Sequence, residues 1–146
     1  MGLKHSVTDL GFRAMSWSHR AVLHLSGGRL LARAFGMPTV ELRARGRSSG
    51  KVHATMLTAP IIDGDRVVLV ASKGGDERDP DWYRNVVANP DVEVTVAGSR
   101  RAMRARVATP EEKAAMWPTI VGAYKGYAGY QRRTSREIPV VICEPR

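Results

Sequence analysis

The sequence predicts a mainly β domain of the α+β class: an antiparallel barrel of six strands with helices packed on it. Two observations carry that expectation. Apolar runs of strand length, alternating or continuous, recur from residue 39 to residue 143. Nearly all are joined by hairpin turns, such as Asp63-Gly64-Asp65 and Gly98-Ser99, or by short helices. At 146 residues the chain suits one domain, 1–146, with a real core. It divides into an N-terminal helical extension, 1–35, and the barrel proper, 38–146.

Residues 8–35 have helical character. Thr8 can cap, and Leu10, Ala14, Trp17, Ala21 and Leu25 recur at spacings of three and four. Gly27-Gly28 divides the segment into a longer helix and a short one at 29–35. Arginines and His19 interleave with the apolar positions, so this helix either packs on the core or lies on an anionic bilayer. Residues 39–45 alternate as a half-buried strand. The turn Gly46-Arg47-Ser48-Ser49-Gly50-Lys51 joins it to a second strand at 52–62, and a hairpin leads into a third at 66–71. The run Val67-Val68-Leu69-Val70-Ala71 is continuous and rich in β-branched residues, as a buried strand requires.

That strand breaks into Ser72-Lys73-Gly74-Gly75, and Asp79-Pro80-Asp81 then opens a helix carrying Trp82, Tyr83 and Asn85 to about residue 88. Residues 91–97 and 100–108 form another hairpin, with Arg104 and Arg106 on one basic face. Thr109-Pro110-Glu111-Glu112 is a capped start for a helix running to about Ala123. Tyr124, Tyr127 and Tyr130 follow at intervals of three, an aromatic stripe that closes a core or faces a ligand. Arg132 to Arg136 reads as a basic, mobile stretch, and 138–143 is the closing strand.

Net charge is +9, mostly from arginine, which favours an anionic partner. The single Cys143 excludes an internal disulfide and a cysteine-built metal site, and no histidine pair has the spacing of a helical zinc site, so no metal is expected. There is no Gly-x-Ser-x-Gly elbow, Walker lysine pattern or Rossmann fingerprint. Nucleic acid is not the expected partner, because aromatics do not interleave with the basic face. With neither a signal peptide nor a membrane span in view, the expected location is the cytoplasm, with peripheral attachment to the inner face of the membrane left open.

Two turns combine hydroxyls, glycines and cations: 46–51, and the one at Ser72 to Gly75. Backbone donors in such turns, a helix start and a lysine can together hold an anion, although each alone is also an ordinary solvated connection.

The ordered motifs carry a resemblance. Gly46 to Lys51, Ala71 to Gly75, Pro80 to Asn85 and Ala88-Asn89-Pro90 occur in sequence. Trp117-Pro118, the tyrosine series with Gln131, and Ile138-Pro139-Val140-Val141 follow. From about Val40 to its end the chain resembles the deazaflavin-dependent nitroreductase family, the A branch of the flavin/deazaflavin oxidoreductases. The resemblance implies a split β-barrel that binds reduced coenzyme F420 and passes hydride from its ring to an activated alkene, a quinone or a nitro-type acceptor.

By motif position it implies that Arg47, Ser48, Ser49, Gly50, Lys51 and Val52 hold the phosphate and oligoglutamate tail. Val70, Ala71, Ser72 and Lys73, with Asp81, Trp82, Tyr83 and Asn85, line tail and ring. Tyr127 touches the deazaflavin, Tyr124 and Tyr130 shape the acceptor pocket, and Ser72 orients the acceptor. A polyanionic tail accounts for two cationic turns, and a two-electron cofactor leaves the protein mainly to align donor and acceptor. Tyrosine or serine hydroxyls stabilise charge growing on oxygen, with Tyr130 or water as the proton source.

The chain departs from the family twice. Ser48 stands where the family's turn has lysine, which shifts anion binding onto Lys51 and Lys73. Residues 55–61 lack the family's Pro-Leu and tyrosine, which leaves acceptor choice open. The same barrel using FMN, or serving as a flavin or tetrapyrrole carrier without turnover, are the alternative readings. An apolar small-molecule acceptor is the expected partner, and homodimerisation is left open.

Overall fold

The structure, a computed structural model, describes residues 33–146. Eight strands form there: β1 (Arg33–Ala34), β2 (Met37–Arg45), β3 (Val52–Thr58), β4 (Ile61–Asp63), β5 (Arg66–Val70), β6 (Asp91–Val96), β7 (Ser99–Val107) and β8 (Val140–Pro145). Three helices accompany them: α1 (Asp81–Ala88), α2 (Pro110–Ala123) and α3 (Gly126–Arg133). All pairings are antiparallel, in the order β1-β2-β6-β7-β8-β5-β4, with β3 paired to β2. The class is α+β and mainly antiparallel, as the sequence predicts.

The expected barrel of six strands is corrected: among the described residues the sheet has eight strands and does not close. The expected strand at 52–62 divides at Ala59-Pro60, and its halves pair with different neighbours, β3 with β2 and β4 with β5. Pro60 has no N–H to offer a ladder. Ala59 makes the last bond on the β2 side, its amide donating to the Pro38 carbonyl at 2.9 Å. The hydrogen-bonded path is therefore open between β3 and β4, although the two are consecutive in the chain. The expected helix at 29–35 is also corrected where it can be seen: Arg33–Ala34 is a strand, and Phe35-Gly36 is the turn into β2, both at positive φ. The rest of the N-terminal helix, and the membrane contact assigned to it, lie outside the described residues.

Burial explains which runs alternate. Val40, Leu42, Ala44, Val92, Val94, Val96, Met103 and Ala105 face one core, while the intervening positions of β2, β6 and β7 are largely half-buried or exposed. Strands β5 and β8 are buried on both faces. Val67, Leu69, Val141 and Cys143 join that first core; Val68, Val70, Val140 and Ile142 join a second one beneath α2 and α3, with Ile120, Ile138 and Tyr127. A strand covered on both sides reads as an unbroken apolar run, hence the two continuous stretches in the sequence. Helix α2 starts at the expected capping box, Thr109 with Glu112.

Register fixes where the two cationic turns lie. Arg43 pairs with Glu93 near the start of β6, Asp91 with Arg104 toward the end of β7, Val107 with Val141, and Val140 with Val70. The C-terminal ends of β2 and β5 are thus at one end of the sheet. Both turns leave from that end, and α1 crosses it between β5 and β6.

Candidate active site

The first turn, 46–51, is an exposed loop closed by its own backbone. Gly46 N–H donates to the Lys51 carbonyl at 2.7 Å, and Gly50 N–H to the Gly46 carbonyl at 3.0 Å. Gly50 sits at φ +71°, a conformation glycine adopts without penalty. Ser49 Oγ accepts from the Lys51 amide at 3.2 Å and lies 3.4 Å from His53 Nε2. Arg47 latches the turn to α1. Its backbone N–H and its guanidinium both donate to Asn85 Oδ1, at 3.1 and 2.8 Å, and the guanidinium reaches Asp81 at 3.4 Å. The amides of Ser48 and Ser49 find no acceptor among the described residues and lie exposed beside the Arg47 cation.

The second turn is built differently. Lys73, Gly74 and Gly75 take successive positive φ values of 45°, 62° and 82°. For Lys73 that conformation costs about 1–2 kcal/mol. Gly75 also packs hard on α3: a Cβ there would lie 2.9 Å from the Tyr130 carbonyl oxygen and 3.0 Å from Arg133 Cβ. Arg136 holds the loop from beneath. Its Nε donates to the Asp76 carbonyl at 2.9 Å, and Nη2 donates to the Ser72 and Ala71 carbonyls at 2.9 and 3.2 Å. Nη1 donates to Asp79 Oδ1 at 3.0 Å. Burial lowers the Arg136 pKa, an effect that Asp79 and Asp76 oppose. Burial likewise pushes the Asp76 carboxyl up, but hydrogen bonds and charge from Arg78, with Lys73 beyond, outweigh it and keep Asp76 below its ordinary value. Ser72 is buried over most of its surface, and its hydroxyl, which still reaches solvent, bonds to no group among the described residues.

The acids flanking Pro80 therefore serve two arginines. Asp79 takes Arg136 at 3.0 Å and Asp81 takes Arg47 at 3.4 Å. Through these carboxylates the start of α1 is tied to both turns.

The tyrosines converge beside the second turn. Tyr124 terminates α2, while Tyr127 and Tyr130 lie on α3. Their ring centroids are 5.4, 6.1 and 6.2 Å apart. Gly126 permits this, since a Cβ there would collide with the Tyr124 ring at 2.2 Å. Tyr127 is only 4% exposed, and its hydroxyl is 3.0 Å from Thr58 Oγ1 at the end of β3. Its ring belongs to the second core, against which Ile61 of β4 also packs. The Tyr124 and Tyr130 hydroxyls lie 3.3 Å apart. Burial first, then its bond to Tyr124 and the neighbouring phenols, pushes the Tyr130 hydroxyl up to about 12. Phe35, 58% exposed, stacks on Tyr124 at 5.1 Å and extends the aromatic surface outward.

Of the residues the sequence singles out, Arg47, Asp81 and Asn85 are brought into direct contact, as are Tyr124, Tyr127 and Tyr130. Ser72 and Lys73 abut the tyrosine helix through Gly75. Ser48, Ser49, Gly50, Lys51 and Val52 are exposed on the first turn and its exit. Val70 and Ala71 are buried in the two cores. Trp82 is in the first core, edge-on to Tyr83 at 6.4 Å, and burial, with Asp79, raises the Tyr83 pKa. Arg136 is the residue the sequence misread: the stretch taken as mobile ends in the half-buried clamp of the second turn. The one local hint is a pair of carboxylates around Pro80, which need cationic partners. The basic face of β7 is paired with acids, Arg100 with Glu93, Arg104 with Asp91, and Arg106 with Glu112 and Glu144.

Among the described residues no group of three or more metal-ligating side chains gathers, and no helix is long and apolar enough to cross a membrane. The model of the F420H2-dependent quinone reductase family matches residues 14–145. An F420H2-dependent quinone reductase of Mycobacterium tuberculosis (strain ATCC 25618 / H37Rv) is 39% identical over 132 residues, 88% of this chain and 88% of that protein. A solved F420H2-dependent reductase is 41% identical, with a TM-score of 0.67 over 73% of this chain and 94% of its own. Another solved relative, described as a domain-swapped dimer, is 36% identical, with a TM-score of 0.69 over 88% of this chain and 97% of its own.

Proposed function

The chain belongs to the F420H2-dependent quinone reductase family, and from that premise we propose that it reduces a quinone-type acceptor with electrons from reduced coenzyme F420. The observation that carries this reading is the placement of both cation-bearing turns at one end of the sheet, with the Tyr124–Tyr130 pair against the second of them.

The residues fit a group with a phosphate and an oligoglutamate tail. Arg47 and Lys51, with the unpartnered amides of Ser48 and Ser49, suit the phosphate or the tail. Lys73 and the unpartnered hydroxyl of Ser72 suit the polar edge where tail gives way to ring. When bound, the reduced deazaflavin supplies the hydride. The protein supplies alignment and hydrogen-bond donors.

Two hydroxyls 3.3 Å apart share one hydrogen between them, which leaves one O–H to donate to an acceptor oxygen. With its pKa near 12, Tyr130 is neutral at any physiological pH. Tyr130 therefore donates a hydrogen bond to the charge growing on the acceptor oxygen. Tyr127 supports the pair: burial raises its pKa, and Thr58 fixes its hydroxyl. Phe35 and Tyr124 offer the acceptor ring an apolar surface.

The test follows the deazaflavin absorbance as a soluble quinone is added, for the full chain and for Tyr130→Phe. Turnover by the full chain is expected, with kcat about 100- to 1,000-fold lower in the variant, as for loss of one oxyanion donor. No turnover by the full chain would refute the reading, and an unchanged variant would remove Tyr130 from it.

A further inference from the structure

We propose that Arg136 is a positioning residue that holds the strained turn Lys73–Gly75 in its ligand-ready conformation, and so acts on the cofactor through Lys73 and Ser72. The inference rests on the functional reading above for its ligand but not for its geometry.

The turn has a reason to need holding. Three consecutive residues sit at positive φ, one of them a lysine, and isolated chains populate such a run poorly. Local bonds close it only in part: Gly75 N–H donates to the Ser72 carbonyl at 2.9 Å, and Asp76 N–H to the Lys73 carbonyl at 3.1 Å. Arg133 Nη1 reaches the Gly74 carbonyl at 3.4 Å, and Arg136 grips the turn on both flanks. Its planar guanidinium takes carbonyls on both sides of the strained residues, Ala71 and Ser72 before and Asp76 after, plus the Asp79 carboxylate. A lysine has a single nitrogen and cannot span four acceptors arranged this way.

The clamp is itself braced. Gln131 Nε2 on α3 donates to the Arg136 carbonyl at 2.9 Å, and Gln131 Oε1 accepts from Lys113 Nζ on α2 at 3.0 Å and from the Ile138 amide at 3.1 Å. Lys113 Nζ also donates to the Ile138 carbonyl at 2.7 Å and pairs with Glu137 at 2.6 Å. The segment between α3 and β8 is thereby fixed to both helices. Because α3 also carries Tyr130, the acceptor side and the cofactor turn share one frame.

The experiment compares Arg136→Lys with the native chain by amide hydrogen exchange without ligand and by F420 titration, the latter in native and Lys73→Ala backgrounds. Arg136→Lys is expected to speed exchange at Gly75 and Asp76 while amides of β6 keep their rates. It is expected to weaken F420 binding about tenfold in the native background and by much less once Lys73 is gone, since the clamp acts through that residue. Equal losses in both backgrounds, or faster exchange spread through β6, would make Arg136 a general structural residue and overturn the proposal. Failure of the native chain to bind F420 would sink the functional reading instead, and exchange at Gly75 and Asp76 would still decide the clamp.

Discussion

The two turns look alike as sequence, with hydroxyls, glycines and cations after a strand, yet they are made in opposite ways. Turn 46–51 is exposed, closes on itself, and hangs from α1 by Arg47. Turn Lys73–Gly75 is partly buried, strained, and pinned from below by an arginine some sixty residues later in the chain. The first is an open catch for charge. The second is a seat whose shape depends on the rest of the fold. Binding energy for a long anion can come from the former, whereas the angle at which a ring meets the tyrosines depends on the latter.

The contrast breaks most sharply at its glycines. Gly75→Ala adds a Cβ at φ +82° against the Tyr130 carbonyl and Arg133, and should cost about 2–4 kcal/mol, lowering Tm by many degrees. Gly50→Ala, at φ +71° with nothing within 4 Å, should cost only about 1 kcal/mol. Thermal melts of the pair check the difference; similar melts would show that the turns are equivalent after all.

Next in size is Arg47→Ala. Asn85 Oδ1 keeps its bond from the residue 47 amide, so stability should change by less than about 1 kcal/mol. Binding of F420 should weaken about tenfold at low salt and approach the native value as salt rises, because an exposed charge is screened. Titrations at two ionic strengths measure this.

Smaller effects lie in pH. The raised Tyr130 pKa means that its contribution to stability is complete below pH 10 and is lost as pH rises through about 12. Denaturant melts of Tyr130→Phe should therefore decline less over that window than those of the native chain. The opposite sign holds for Glu112, which Arg106 and the Thr109 amide hold at about 2. Its contribution is present above pH 4.5 and lost as pH falls toward 2, and Glu112→Gln should flatten acid melts slightly. That pair is exposed and its bonds go to neither turn, so F420 affinity should not move.

What the sequence made legible was local. Strands β5 and β8 declared themselves as unbroken apolar runs because both their faces are covered, and Thr109 with Glu112 announced the start of α2. The break at Ala59-Pro60 was hidden, because apolar character continues across it and only the change of partner strand marks it. Tyr124 fell outside α3 for a related reason, since a spacing of three does not say where one helix ends and the next begins. Arg136 was illegible: its acceptors are backbone carbonyls around residues 71 to 76, and no local pattern among neighbouring arginines distinguishes it. The bracket of Asp79 and Asp81 around Pro80 was visible, but not which arginines would fill it.

The most direct test of the account is a calorimetric titration of the full chain with F420 and, side by side, with FMN. Tight binding of F420 that weakens steeply with added salt, together with much weaker binding of FMN, is the expected result. Equal affinity for the two, or no heat with F420, would contradict the claim that these turns are built to hold a polyanionic deazaflavin.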